Sequence, residues 1–212
     1  MIFEQIPCGG DRNFGYLVAC ETSQLAAVID PSPEPLQCWD RVKKLKLRVE
    51  YVINTHSHAD HAGGNSFFKV KSQAAIVTHA SVVSGDIRVE NSQSLSLGEL
   101  NLLFLHTPGH TEDSICVKIN RELVTGDTLF VGKVGGTYST SASRMEFESL
   151  KDLMKLEDDI RIWPGHNYGV RPSSTIGNER KSNPFILRLN NFQDFVWLKD
   201  NWAEYKREHN IP

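Results

Sequence analysis

The sequence predicts a layered α/β sandwich, in which two sheets face one another and helices cover their outer sides. Its 212 residues suit one domain, and 40% hydrophobic with 23% charged residues is the ordinary balance of a globular protein with a sizeable core. Short β-branched or aromatic runs recur along the chain, with helix-like segments between them. Two strand sets that look antiparallel, each interleaved with helices, therefore favour this fold class.

The predicted strands are short apolar runs that end at turn residues such as glycine, proline, serine and threonine. They cover residues 2–6, 14–20, 25–29, 49–54, 74–77, 92–97, 100–105, 114–119 and 122–125. No internal repeat or low-complexity stretch interrupts the series. We therefore expect one continuous domain.

Helices are predicted at three places. Residues 33–48 begin with prolines, repeat apolar residues at helical spacing and end in Lys and Arg, which the helix dipole favours there. A second helix is expected over 146–157, and residues 183–209 are expected to form one or two amphipathic helices packed on the body. The main domain is thus predicted at 1–181, with a short C-terminal helical extension at 182–212.

Charge and hydropathy exclude several classes of function. The net charge of −3 attracts neither nucleic acid nor an anionic membrane, and the basic run at 41–48 is interpreted as a solvated helix face because no aromatic residues interleave it. No apolar run approaches the ~18 residues of a membrane span. The first residues also lack a signal-peptide pattern, so a cytoplasmic protein with a small-molecule partner is predicted.

The cysteines have no CxxC or other paired spacing. They lie far apart, at Cys8, Cys20, Cys38 and Cys116. We expect reduced, buried thiols and no catalytic role for Cys116.

A cluster of histidines follows the predicted strand at 49–54 directly. Residues 55–61 read THSHADH, which places His56, His58, Asp60 and His61 on a strand-to-helix loop. For this composition the pattern arises by chance on the order of once in a thousand sequences, so it is a specific signal. Imidazoles and a carboxylate crowded this tightly are compatible when a divalent cation binds them together.

Three further candidates each lie beside glycine at a predicted turn. They are His110 in TPGHT, Asp127 in TGDTLF and His166 in PGHNYG. With the first cluster they make seven ligands, and because zinc takes about four, the set suits two adjacent metals that share a carboxylate and a solvent molecule. The other three histidines lack this context and are interpreted as ordinary surface or core residues: His79, His106 and His209.

The four motifs, in this order and at these separations, resemble the metallo-β-lactamase superfamily, whose fold is a four-layer αββα sandwich with the metals at one edge. Within it the sequence is most similar to glyoxalase II, the hydroxyacylglutathione hydrolases. LFVGKVGGTY after Asp127 and SSTIGNERKSNPF after PGHNYG carry that finer resemblance. The resemblance covers most of the chain.

The resemblance implies a complete set of metal ligands. One metal would be held by His56, His58 and His110, the other by Asp60, His61 and His166, with Asp127 as the bridge. Asp60 and Asp127 are also expected to be catalytic. Two divalent ions, zinc with iron or manganese as alternatives, would then activate a bridging hydroxide that attacks the carbonyl of a thioester. The thiolate leaves without a strong acid because the pKa of a thiol is only ~8 to 9.

The implied substrate is an S-acylglutathione such as S-lactoylglutathione. By motif match Tyr138 and Tyr168 would contact the glutathione moiety, and Lys133 is the candidate for the family's glutathione-binding lysine, since Gly136 occupies the place where that lysine is expected. The C-terminal region is shorter than in the family and offers no clear counterpart of its basic residues. Another thioester or glutathione conjugate is therefore also considered, and the oligomeric state is not predicted.

Two alternatives remain at this stage. A mononuclear Fe(II) glutathione-persulfide dioxygenase shares the metal motifs, and His56, His110 and Asp127 would supply its two-histidine, one-carboxylate triad. The turn GGTYS, without the arginine of that branch, favours the hydrolase. A metal-binding scaffold without turnover is disfavoured because a closed structural site needs only four ligands.

Overall fold

The computed structural model describes residues 1–211 and contains two six-stranded sheets. The first sheet has the order β1-β2-β3-β4-β5-β6. Its strands are β1 (Ile2–Pro7), β2 (Phe14–Ala19), β3 (Leu25–Ile29), β4 (Arg48–Ile53), β5 (Ala75–His79) and β6 (Ile87–Val89). Strands run antiparallel from β1 to β3 and parallel from β3 to β6.

The second sheet has the order β14-β13-β10-β9-β8-β7. Its strands are β7 (Ser94–Leu97), β8 (Leu100–His106), β9 (Ile115–Ile119), β10 (Glu122–Gly126), β13 (Arg161–Pro164) and β14 (Ser174–Thr175). A separate two-stranded ribbon pairs β11 (Leu129–Phe130) with β12 (Lys133–Val134).

Helices lie outside the two sheets. They are α1 (Pro35–Lys44), α2 (Ala59–Ala62), α3 (Asn65–Ser72), α4 (Thr140–Leu153), α5 (Ile176–Ser182), a 3-10 turn (Ile186–Arg188), α6 (Phe192–Asp200) and α7 (Trp202–Glu208). None of the helices within residues 1–211 has both the length and the apolar character needed to cross a bilayer.

Side-chain alternation along the strands creates the layers. Along β2, Phe14 and Tyr16 point into the core between the sheets, whereas Leu17 and Ala19 point toward the layer of α1 and α3. This is the period of two that a strand buried on both faces requires. Phe104 of β8 lies on the opposite side of the same inter-sheet core.

The outer helices complete a four-layer arrangement. Val42 of α1 and Phe68 of α3 pack on the first sheet, while Phe147 of α4 and Phe195 of α6 pack on the second. The order of layers is helix, sheet, sheet, helix. The predicted αββα sandwich is confirmed.

Strand direction differs from the expected antiparallel sets. Each of the links from β3 to β4 and from β4 to β5 passes through a helical segment, and such a crossover returns the chain to the same end of the sheet. The pairs β3–β4 and β4–β5 are consequently parallel, as is β10–β13.

Two helices have different limits from those predicted. The helix expected over 33–48 ends at Lys44, because Lys46 adopts a left-handed conformation (φ 56°) and the chain then enters β4. The helix expected over 146–157 begins earlier, at Thr140, because the Ser139 hydroxyl caps it by accepting the Ala142 N–H at 3.1 Å.

The C-terminal segment is more divided than the expected one or two helices. Helix α5 crosses the proposed boundary between 181 and 182, and the 3-10 turn and two helices follow it. Phe195 and Leu198 of α6 share one buried cluster with Ile162 of β13. The segment therefore packs on the core of the second sheet.

Candidate metal centre

The seven predicted ligands follow the ends of four different strands. The THSHADH loop follows β4, and the turn that carries His110 follows β8. Asp127 comes directly after β10, and His166 lies two residues after β13. Gly126 is left-handed (φ 49°), and a Cβ there would lie 2.5 Å from Thr55 Oγ1, so glycine lets the strand turn against the histidine loop.

Three histidines form the first cluster, with their ring nitrogens pointing to a common centre. His56 Nε2 lies 3.0 Å from His58 Nδ1, and His110 Nε2 lies 3.1 Å from that same atom. One ligand atom from each ring falls within 4.8 Å of the other two. This is a geometry in which one cation can contact all three rings.

A second cluster joins two histidines to a carboxylate. His61 Nε2 lies 3.3 Å from His166 Nε2, and Asp60 Oδ2 lies 3.4 Å from His166 Nε2 and 3.6 Å from His61 Nε2. Both rings are buried, whereas the Asp60 side chain is 44% exposed. The second cluster is therefore open to solvent on its carboxylate side.

The Asp127 carboxylate lies between the two clusters. Its Oδ2 is 3.6 Å from His110 Nε2 and 3.4 Å from His166 Nε2, and its Oδ1 is 3.5 Å from His61 Nε2. That buried Oδ1 has no hydrogen-bond partner within residues 1–211. A buried carboxylate oxygen is costly without a partner, and a cation on either side would supply one.

In four of the rings, Nδ1 donates a hydrogen bond to an acceptor outside the centre. Thr55 Oγ1 donates to Asp30 at 2.6 Å and is thus left to accept from His56 Nδ1, at 3.2 Å. His61 Nδ1 donates to Asp30 Oδ2 at 2.9 Å. These contacts direct the Nε2 atoms of both rings into the centre.

The remaining two rings are oriented by backbone carbonyls. His110 Nδ1 donates to the Gly136 carbonyl at 2.8 Å, and His166 Nδ1 donates to the Asp11 carbonyl at 2.9 Å. Their Nε2 atoms therefore also face inward as ligands.

The ring nitrogens of the first cluster have too few hydrogens to bond to one another. Burial lowers the pKa of His56 well below its usual range and also lowers the pKa of His110. Both rings are then neutral, and the Nε2 atom of each is an acceptor. The one nitrogen near both of them, His58 Nδ1, can donate at most one hydrogen, so at least one acceptor has no donor in the cluster. A cation at the centre satisfies all three nitrogens at once, so the donor set fits a bound metal.

The second cluster attracts positive charge. Burial alone would lower the pKa of His61, but Asp30 and Asp127 outweigh it and raise that pKa to about 9. Burial opposes ionisation of Asp127, yet the hydrogen bond and charge of His166 bring its pKa below the usual range. Since metal binding has to displace the His61 proton, affinity at this cluster falls as the pH drops.

Comparison with known proteins agrees with this geometry. Residues 13–84 and 81–166 match the family described as the metallo-β-lactamase superfamily. The chain belongs to the metallo-β-lactamase superfamily. Its histidine and aspartate clusters fit a binuclear metal site, as that membership leads one to expect.

Several relatives carry the name predicted from the motifs. The chain is 30% identical to the probable hydroxyacylglutathione hydrolase glo2 of Schizosaccharomyces pombe, with 91% of this chain and 90% of that protein covered. It is 31% identical to the cytoplasmic hydroxyacylglutathione hydrolase of Arabidopsis thaliana, with 98% and 80% covered. The resemblance to the glyoxalase II branch is thereby confirmed.

Solved structures support the fold. ETHE1 from Myxococcus xanthus superposes with a TM-score of 0.88 at 29% identity, covering 95% of this chain and 91% of that one. A metallo-β-lactamase from Staphylococcus aureus gives 0.85 at 28% identity, covering 92% and 66%.

Two of the three predicted substrate residues lie together. The Tyr168 ring stacks on His166 (4.7 Å between centroids, 3° between planes), and its hydroxyl donates to Asp11 Oδ2 at 2.6 Å. Lys133 Nζ and the Arg12 guanidinium each lie 4.8 Å from the centre of that ring. One cavity of about 640 Å³ is lined by Tyr168, Lys133, Arg12 and Asp11.

Tyr138 is placed elsewhere. Its side chain is 85% exposed and lines a neighbouring cavity of about 520 Å³ that it shares with Lys133. Of the two predicted tyrosines, Tyr168 is thus the one that touches a metal-centre histidine.

Some residues of the centre were not anticipated from the sequence. Asp30 directly follows the strand LAAVI and precedes Pro31, a strand-end position that could have marked it as a candidate. Asn13 donates to Asp60 Oδ2 at 3.0 Å, and Asp11 orients His166. Neither lies in a recognisable motif.

The other predicted features have these positions. All four cysteines are free thiols and buried. His79 and His106 stack on one another 3.9 Å apart at the ends of β5 and β8, and His209 stacks on Tyr205 of α7.

Proposed function

We propose that this protein is a binuclear metallohydrolase that cleaves a thioester, with an S-acylglutathione such as S-lactoylglutathione as its substrate. The observation that carries the proposal is the shared Asp127 carboxylate between two complete ligand clusters. The names of the relatives, hydroxyacylglutathione hydrolases at 30% and 31% identity, support the reaction and the thiol.

Under this proposal the residues have the following roles. One cation would be held by His56, His58 and His110, the other by Asp60, His61 and His166, and Asp127 would serve both. Zinc is the proposed metal, with iron and manganese as the alternatives that the same nitrogen and oxygen ligands accept. When bound, the two ions would lower the pKa of a bound water to near neutrality and would polarise the thioester carbonyl.

The chain's own groups complete the chemistry. Asp60 is the half-exposed carboxylate of the centre, and Asn13 holds its Oδ2, so it can accept a hydrogen bond from the attacking water and orient it. Tyr168 and Lys133 line the adjoining cavity, where the Lys133 ammonium can pair with a carboxylate of glutathione. The departing thiolate needs no strong acid because its own pKa is only ~8.5.

The functional test combines metal analysis with two activity assays. We expect purified protein to contain close to two metals per chain and to release thiol from S-lactoylglutathione. Asp127→Ala is expected to lose metal and to reduce turnover by at least about 100-fold, because it removes the ligand shared by both clusters. The control is Asp152→Ala, an exposed residue of α4 that pairs with Lys155.

Two results would overturn the proposal. An Asp127→Ala variant with an intact metal count and full activity would contradict the shared-ligand centre. One iron per chain, with oxygen uptake on glutathione persulfide and no thiol release, would assign the protein to the dioxygenase alternative. The cytoplasmic location stays a prediction.

A further inference from the structure

A buried ion pair connects helix α6 to helix α4 beneath the metal centre. Glu146 of α4 is completely buried, and the Lys199 side chain of α6 is only 10% exposed. Lys199 Nζ donates to Glu146 Oε2, while Glu146 Oε1 has no hydrogen-bond partner in the described part of the chain. Burying two charges is costly even when they are paired, so the pair calls for a reason beyond stability.

The same ammonium also holds a loop of the metal centre. Lys199 Nζ donates to the Gly135 carbonyl at 2.7 Å, and the next carbonyl, that of Gly136, accepts the His110 Nδ1 hydrogen at 2.8 Å. Residue 135 has no room for a side chain, since a Cβ there would lie 2.1 Å from the Asp127 carbonyl oxygen. One short backbone segment thus joins Lys199 to the ring of His110.

Helix α4 supports the other side of His110. A Cβ on Gly109 would lie 2.3 Å from the Glu146 Cβ, so the turn rests directly on the helix at the residue that pairs with Lys199. Ser149, one turn along, donates to the Pro108 carbonyl at 2.8 Å. The peptide before His110 therefore depends on helix α4, and the carbonyl that orients its ring depends on the Lys199 side chain that pairs with that helix.

We propose that Lys199 is a positioning residue of the metal centre, whose ammonium, paired with Glu146, holds the Gly135–Gly136 peptide so that Gly136 fixes His110 with Nε2 toward the first cluster. The inference rests on the proposed function only in taking that cluster as a metal site. It makes helix α6 a part of the centre, although none of the metal ligands lies in it.

The test removes the contact to Gly135 without leaving the buried Glu146 carboxylate unpaired. Lys199→Met alone would leave the buried Glu146 carboxylate without its partner. Burial already raises the pKa of Glu146 to about 7, although the charge of Lys199 opposes the shift. The informative pair is therefore Glu146→Gln and the double variant Glu146→Gln/Lys199→Met. Because both share the glutamine substitution, they differ only in the ammonium that reaches Gly135. Lys151→Met, an exposed α4 lysine that pairs with Glu148, is the matched control.

Two measurements read the position of His110 without any substrate. Long-range proton–nitrogen NMR of the metal-free protein reports which nitrogen of His110 carries the hydrogen. Titration with Co²⁺ against a chelator reports affinity and the visible spectrum of the first cluster. At the first cluster, we expect the double variant to bind Co²⁺ about 10- to 100-fold more weakly than Glu146→Gln. In the metal-free double variant, we expect a mixture of His110 tautomers. Lys151→Met and the conservative Lys199→Arg should keep the wild-type spectrum.

The outcomes separate this inference from the proposed function. A folded double variant with unchanged affinity, spectrum and tautomer would show that the pair only stabilises the fold, and would overturn the inference. If the double variant does not fold, a folded Glu146→Gln/Lys199→Gln protein with an altered Co²⁺ spectrum and mixed His110 tautomers supports the inference, and the same protein with an unaltered spectrum and tautomer overturns it. Wild-type protein that binds Co²⁺ but cleaves no thioester would overturn the proposed substrate and leave these comparisons intact.

Discussion

At the residue scale, the metal centre depends on the groups that orient its histidines as much as on the ligands. Asp30 is the clearest case, because its buried carboxylate accepts from His61 Nδ1 at 2.9 Å and from the Thr55 backbone N–H at 2.8 Å. It also accepts from the Thr55 hydroxyl, which in turn accepts from His56. One carboxylate thus orients a ring in each cluster.

We expect Asp30→Asn to weaken metal binding about 10- to 100-fold, most strongly at the cluster that contains His61. The amide has nearly the same shape but only one acceptor oxygen, so its NH2 group must face either the Thr55 backbone N–H or the His61 Nδ1 hydrogen, which Asp30 accepts on different oxygens. Chelator competition with the purified variant measures the effect. Asp40→Asn, on the exposed face of α1 beside Lys43, should bind metal like the wild type. Unchanged affinity at both clusters in Asp30→Asn would contradict the assigned role.

At the element scale, helix α6 is short and depends on its surroundings. Nine residues are too few for a stable isolated helix, so its position depends on the burial of Phe195 and Leu198 and on its N-cap. Asn191 provides that cap, its side-chain oxygen accepting the Gln193 N–H at 2.9 Å. The helix that presents Lys199 to the metal centre is thus anchored at its first turn.

Asn191→Ala is expected to lower the free energy of unfolding by about 1 kcal/mol, the usual cost of losing an N-cap. Metal affinity should stay at the wild-type value, because the folded state still places Lys199 against Gly135. Urea unfolding of the metal-free protein measures the first quantity and chelator competition the second. Gln193→Ala, exposed in the same turn, serves as the control. If the free energy of metal binding weakened by more than the free energy of unfolding, this account would be contradicted.

At the scale of the whole molecule, the sandwich gathers ligands that are far apart in the chain. The ends of β4, β8, β10 and β13 meet at one edge, and the C-terminal helices cover the second sheet beside it. The core of that sheet also encloses the Glu146 carboxyl, which gives overall stability a dependence on pH.

We expect the free energy of unfolding to fall as the pH rises from about 4.5 to 7, relative to Glu146→Gln. Burial raises the pKa of Glu146 from 4.5 to about 7, with Lys199 opposing, so in this window the folded protein keeps a proton that the unfolded chain has lost. The free energy of unfolding then decreases by no more than about 3 kcal/mol as the pH rises, and it levels off above pH 7. Urea unfolding of both metal-free proteins across this range gives the difference. A difference independent of pH would show that Glu146 does not titrate in this way.

The seven candidate ligands could be predicted because each lies in a local motif. HxHxDH, and a histidine or aspartate beside glycine at a strand end, are recognisable without knowledge of the fold. The orienting contacts have no such local signal. His61 and Asp30 are 31 residues apart, Lys199 and Gly135 are 64 apart, and His166 and Asp11 are 155 apart.

By itself the sequence determined the order of most strands and helices, the αββα class and the residue types of a metal centre, because periodicity and ligand chemistry are properties of short segments. Only the tertiary structure decided which strands run parallel, which contacts orient four of the ligand rings and that a lysine of α6 supports the loop beside His110. These features depend on contacts between segments distant in the chain, and packing of the whole sandwich brings those segments together.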